Sequence, residues 1–241
     1  MILEEQPDAV GLVFIMHGLG GHMRQPHIET FANAYREKGF TVVRFDTTNT
    51  FGESDGSYED ATITNYYEDL EDVIGWAATQ PWYQEPFWLE GHSLGGICTA
   101  LFAERHPEKI KALAPISTVV SNRFIADVYT EDEVKSWKET GYLIKPSVSQ
   151  PGVTKKLKWA FYEDRLKYDL LAQADRLTMP VLLMVGENDT RTPLPHQQAL
   201  FDALPAKKEL HIIKGAEHTF IKPEHLEEIR KITSAWIEKY L

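Results

Sequence analysis

Six short apolar-rich runs alternate with helix-length amphipathic segments, and this rhythm constrains the fold more than any other feature of the chain. Leu12–Met16, Thr41–Phe45, Phe87–Leu89, Ile110–Ile116, Val181–Val185 and Leu210–Ile213 read as strands. Residues 27–38, 62–79, 94–105, 195–203 and roughly 223–240 read as helices, with apolar side chains near 3.6 spacing. In the last of these, Leu226, Ile229, Ile232, Trp236 and Tyr240 share one face. Strands apolar along their whole length are buried on both sides, as in a parallel sheet. Helices between them then cover the two faces through right-handed crossovers. The expected class is α/β, with a mostly parallel central sheet.

Residues 119–177 break the rhythm. They carry many charges and scattered aromatics, and a structureless loop of ~55 residues inside a compact domain would be implausible. They are expected to form an inserted cap of two or more helices, with residues 1–118 and 178–241 as the core domain. Trp137, Tyr142, Trp159 and Tyr162 are the expected aromatic wall of a substrate pocket. Lys155-Lys156-Leu157-Lys158 reads as a solvated helix face, with a phosphate or carboxylate contact as the alternative.

Composition narrows the function classes. The net charge of −11 disfavours general nucleic-acid binding and docking to anionic membranes, which need clustered Lys and Arg. A single cysteine, Cys98, excludes an internal disulfide and any cysteine-rich metal site; it reads as a buried, inert thiol. The start Met1-Ile2-Leu3-Glu4-Glu5 lacks the basic and apolar regions of a signal peptide, and no apolar run approaches the ~20 residues that span a bilayer. The expectation is a soluble cytoplasmic protein without stable membrane anchoring, monomer or homodimer. Secretion stays open if the natural start differs.

The chemistry centres on Gly91-His92-Ser93-Leu94-Gly95-Gly96, between an expected strand and an expected helix. That is the context a G-x-S-x-G turn needs to lift a serine hydroxyl above the sheet edge. A serine hydroxyl needs a base, and the base an orienting acid. His218 follows the last strand, and Asp189 follows Val181–Val185, so a parallel sheet brings both loops to the edge that carries Ser93. Glu187 is the nearest rival acid and Asp127 a distant one. His92 and His17 read as hydrogen-bonding or packing residues. His17-Gly18-Leu19-Gly20-Gly21 follows the first clear strand and can turn an N–H inward, so the Leu19 and Leu94 N–H groups are the expected oxyanion donors. No phosphate-binding loop and no H-E-x-x-H occur, so no metal and no cofactor are expected.

With these motifs in place, the chain resembles the α/β-hydrolase family over nearly its whole length. It looks like the small serine esterases related to cinnamoyl (feruloyl) esterases, monoacylglycerol lipases and the S33 peptidase branch. The resemblance places the nucleophile on Ser93, the acid on Asp189, the base on His218 and the cap on roughly 119–177. It implies a carboxylic-ester hydrolase acting through an acyl-enzyme on a small-molecule ester: short or medium acyl, monoglyceride or hydroxycinnamate. An S33-like aminopeptidase, a thioesterase or an acyltransferase is the alternative. For an aminopeptidase, Asp127, Glu131, Asp132 and Glu133 would hold the substrate amine. Two departures stand out. About ten residues precede Leu12, so one or both N-terminal edge strands are expected to be missing or short. The family's G-H-G-x-S turn is replaced by Asn49-Thr50-Phe51-Gly52-Glu53-Ser54.

Overall fold

The computed structural model describes residues 1–146, 152, 154–205 and 207–241; residues 147–151 and 153 of the expected cap lie outside them. The first half of the chain forms β1 (Ile2–Glu4), β2 (Leu12–Met16), α1 (Pro26–Glu37), β3 (Thr41–Phe45) and α2 (Ile63–Ala77). It continues with β4 (Phe87–His92), α3 (Leu94–Arg105) and β5 (Ile110–Ile116). After the insertion come β8 (Val181–Gly186), α6 (Leu194–Ala203), β9 (Lys208–Ile213) and α7 (Pro223–Tyr240).

The strands build one seven-stranded sheet in the order β1-β3-β2-β4-β5-β8-β9. All neighbours are parallel except β1, which runs antiparallel to β3. The sequence rhythm missed β1, a shortened edge strand of three residues. Glu4 ties it down by accepting from Arg36 at 3.0 Å and Arg44 at 3.3 Å.

The pleat sends alternate residues to opposite faces. Val13 and Ile15 of β2 pack under α1 and α7, with Phe31, Trp88 and Trp236. Leu12, Phe14 and Met16 point the other way, against Leu70, Ile97 and Leu101 of α2 and α3. Both faces are therefore dry, and the carboxyl ends of β2, β4, β8 and β9 open at one edge.

The segment between β5 and β8 differs from the expectation of helices alone. It holds a short 3-10 helix (Asn122–Asp127), then α4 (Glu131–Thr140), β6 (Tyr142–Pro146), β7 (Thr154–Lys158) and α5 (Trp159–Arg165). A capping box between Thr130 and Glu133 starts α4, and Gly141 ends it at φ +79°. β6 and β7 pair antiparallel, with Leu143 opposite Leu157 and Lys145 opposite Lys155. The lysine-rich run is thus a strand of period two, not a helix face. Leu157 is buried, Lys155 half-buried and Lys156 exposed.

Candidate active site

Ser93 sits between β4 and α3 at φ +57° and ψ −113°, a strained conformation for a residue with a Cβ. Neighbouring glycines make the turn possible. A Cβ on Gly91 would fall 2.3 Å from Gly95 O, and one on Gly95 would fall 2.5 Å from His17 O. No side chain fits at either position. The Ser93 N–H donates to Ile116 O at 2.9 Å, fixing the turn to the end of β5.

The hydroxyl points at His218, with Oγ 2.9 Å from Nε2. On the other side of the ring, Nδ1 lies 2.8 Å from Asp189 Oδ2. A carboxylate only accepts, so Nδ1 carries the proton, and Nε2 is left to accept from the serine. Asp189 is buried. Its Oδ1 accepts from the Arg191 N–H at 2.8 Å and the Thr192 N–H at 3.0 Å, and its Oδ2 also accepts from Thr192 Oγ1 at 2.9 Å. Burial would raise its pKa, but the hydrogen bond and charge of His218 and these backbone donors outweigh burial and hold it well below the usual carboxylate range. Thr192 Oγ1 also reaches Ser117 O at 2.8 Å and lies 3.3 Å from His218 Nδ1.

Two neutral histidines frame the site. Burial, with the nearby His218, lowers His92 to about 3, and its Nε2–H donates to His218 O at 2.8 Å. Burial lowers His17 to about 4; its Nδ1–H donates to Gly18 O at 2.8 Å and its Nε2 accepts from the Thr47 N–H at 3.2 Å. The Gly20 N–H donates to Tyr66 Oη at 3.0 Å, which shapes the same loop from α2. A Cβ on Gly18 would lie 2.9 Å from Ser93 Cβ, so this loop borders the serine directly. Leu19 and Leu94 both line the space beside it. Among the described residues, neither of their N–H groups donates within the loop network.

Ser93 and His218 open into a cavity of about 470 Å³ lined by the loops at the strand ends and by the segment between β5 and β8. Its apolar lining includes Tyr58, Tyr129, Leu143, Leu157 and Phe161.

Residues 11–173, about two thirds of the chain, match the family described as alpha/beta hydrolase fold. The chain belongs to the alpha/beta hydrolase fold family. Residues 144–224 also match the family described as serine aminopeptidase, S33. A thermostable monoacylglycerol lipase from Bacillus sp. strain H-257 is 26% identical over 217 residues, covering 86% of this chain and 82% of that relative. The crystal structure of a monoacylglycerol lipase from Paleococcus ferrophilus superposes with a TM-score of 0.76 at 25% identity, covering 100% of this chain and 98% of the other. Est1E from Butyrivibrio proteoclasticus, with ferulic acid bound, shares the fold at a TM-score of 0.79 and 24% identity, over 99% of this chain and 94% of that one.

In this alpha/beta hydrolase the structure brings Ser93, Asp189 and His218 together, with Leu19 and Leu94 at the same cavity. The rival acids are engaged elsewhere. Glu187 accepts from the Gly215 N–H at 2.8 Å, and Asp127 meets His196 at 2.9 Å. The four expected wall aromatics require correction, because none lines the cavity. Trp137 is buried against Trp159, Phe161 and Tyr162, and its Nε1–H donates to Leu157 O at 3.0 Å. Tyr142 lies under Lys156. These rings are largely spent on holding the insertion together. Thr192 and Tyr66 escaped the sequence reading. The short spacing Asp189-x-x-Thr192 after a strand could have flagged the first, whereas Tyr66 is indistinguishable from any core position of α2. Among the described residues, no group of three or more His, Cys, Asp or Glu could hold a metal, and no helix is long and apolar enough to cross a membrane.

Proposed function

We propose that this alpha/beta hydrolase cleaves carboxylic esters through Ser93, His218 and Asp189. The observation that carries the reading is the unbroken line of hydrogen bonds from Asp189 through His218 to Ser93, ending in a cavity sized for a small ligand. Ser93 Oγ attacks the ester carbonyl as its proton passes to His218 Nε2. The tetrahedral oxyanion is held by the N–H groups of Leu19 and Leu94, each worth about 3–4 kcal/mol when such a donor is removed. His218 then protonates the departing alcohol, and Asp189 stabilises the imidazolium formed in between. Water, deprotonated by His218, releases the acid from the acyl-enzyme. The similarity to monoacylglycerol lipases supports an ester of modest size.

The S33 match raises a second reading, cleavage of an aminoacyl amide. That substrate needs carboxylates for its free amine, and Asp127, Glu131, Asp132 and Glu133 all lie outside the cavity lining, where the exposed Glu217 stands against Lys145, Lys155, Arg165 and Arg191. The ester reading is therefore preferred. Its test is hydrolysis of p-nitrophenyl butyrate by wild type and Ser93→Ala, with fluorophosphonate labelling of both. Turnover and labelling are expected in the wild type alone. Full activity in Ser93→Ala would end the proposal.

A further inference from the structure

The chain as a whole is strongly acidic, at −11, yet the cavity is cationic. Lys145, Lys155, Arg165 and Arg191 line it, against one carboxylate, the exposed Glu217. Two features show that these cations are not an ordinary solvated surface.

The first is Arg165, only 6% exposed. Its Nε is buried without a hydrogen-bond partner, and no carboxylate of the described residues lies within ion-pair reach of it. Its guanidinium faces the Tyr129 ring at 5.7 Å. The neighbouring Asp164 is committed to Lys167 at 2.7 Å and to Thr64 at 2.6 Å and 2.9 Å. The residues outside the description are Ser, Val, Gln, Pro and Ala, so they supply no acid. A buried cation without a counter-charge is costly, and an anionic ligand in the cavity would supply the missing charge.

The second is the hairpin. On its outward face Lys156 and Lys158 are neutralised by Glu59 and Asp60. On its inward face Lys145 and Lys155 stand directly opposite each other, a like-charge pair that disfavours the sheet. Lys145 finds Glu133 at 2.7 Å. Among the described residues Lys155 meets the stacked rings of Phe51 and Tyr58, each 5.5 Å from Nζ, and no carboxylate. Burial and the nearby charge of Arg191 lower its pKa. The two outer lysines and the inner Lys145 thus have carboxylate partners, whereas among the described residues the inner Lys155 has none.

We propose that the cavity selects esters bearing an anionic group, a carboxylate or a phosphate, which Arg165 and Lys155 bind while the ester carbonyl sits at Ser93. This rests on the ester-hydrolase reading. The planar guanidinium offers paired donors to either anion, and the ammonium adds a point charge.

The test compares kcat/KM within two matched pairs at low salt. One pair is mono-p-nitrophenyl glutarate against p-nitrophenyl valerate, with the charge on the acyl side. The other is monobutyrylglycerol phosphate against monobutyrylglycerol, with the charge on the alcohol side. In at least one pair the anionic member is expected to be favoured about tenfold or more, with the advantage shrinking as salt screens it. Arg165→Met and Lys155→Met should each lower the anionic-to-neutral ratio by about tenfold. Lys155 is half-buried where Arg165 is buried, so its variant keeps the test open if Arg165→Met does not fold. Neutral esters turned over as well as their charged partners in both pairs, and lost in Ser93→Ala, would overturn anion selection and leave the ester reading standing. No turnover of any of the four above the Ser93→Ala background would overturn both.

Discussion

At the scale of single residues, the site depends on which nitrogen of His218 bears the proton. Asp189 settles this as an acceptor-only group, held ionised by two backbone N–H donors, the Thr192 hydroxyl and His218 itself. Asp189→Asn keeps the shape but offers an amide whose N–H₂ can face Nδ1. The ring then turns its proton toward Ser93 and no longer accepts from it. We expect kcat on p-nitrophenyl butyrate to fall on the order of 10⁴-fold, with KM changing by less than about threefold. A kcat within about tenfold of wild type would mean that the base is oriented by something else. Thr192 acts through Asp189, not on the substrate. Thr192→Val removes the hydroxyl whose single proton is shared between the carboxylate and Ser117 O, while keeping the volume. A fall in kcat of about tenfold at unchanged KM is expected, and a rise in KM alone would count against the positioning role.

Between residues and the whole lies the packing of elements, and here glycines separate contact from freedom. Gly95 presses α3 against the end of β2. An added Cβ would meet the backbone oxygens of His17 at 2.5 Å and Met16 at 2.6 Å, and backbone cannot step aside as a side chain can. Gly95→Ala should cost about 2–3 kcal/mol in urea unfolding and also lower activity, since Leu94 and the loop at Leu19 move with it. Gly75, exposed in the last turn of α2, meets nothing within 4 Å, so Gly75→Ala should gain about 0.5 kcal/mol, the low end of the mid-helix effect. Equal effects at the two positions would refute the steric reading. The same contrast explains what could be read before folding. Strands buried on both faces leave unbroken apolar runs such as Leu12–Met16, and the serine turn leaves glycines at fixed offsets, so the sheet and the convergence of positions 93, 189 and 218 were legible. β1 was not, because three residues held by Glu4 salt bridges leave no pattern. The β6–β7 hairpin was not, because four residues rich in lysine carry no decisive period. The expected aromatic wall failed for another reason: residue type predicts burial, but not whether the burying partner is a ligand or the insertion's own rings.

Over the whole molecule, two groups of buried carboxylates set opposite limits on stability. Asp189 has a folded pKa below its unfolded value, so its stabilisation is present above the unfolded value and lost only as pH falls through the folded one. Glu90 is the reverse case. It lies fully buried in β4, beneath the serine turn, and burial pushes it up to about 8, against a smaller opposing pull from the Tyr35 hydroxyl. Buried Glu104 on α3 is likewise pushed up to about 8, mainly by burial, with Arg176 opposing. Below the ordinary glutamate pKa of about 4.3, both states hold the proton. Between there and about 8 the folded protein keeps a proton that the unfolded chain has lost, so stability falls steadily as pH rises across that window. Above it the slope vanishes. Glu90→Gln imitates the protonated acid at every pH and removes this group's share of the slope. The melting temperature of the variant relative to wild type should therefore climb from pH 5 to pH 8 and level off beyond, with a total gain on the order of a few kcal/mol. Melting curves at pH 5, 7 and 9 in one buffer series decide the matter. A constant difference across the series would mean that Glu90 titrates alike in both states, and that the alkaline limit of this fold lies elsewhere.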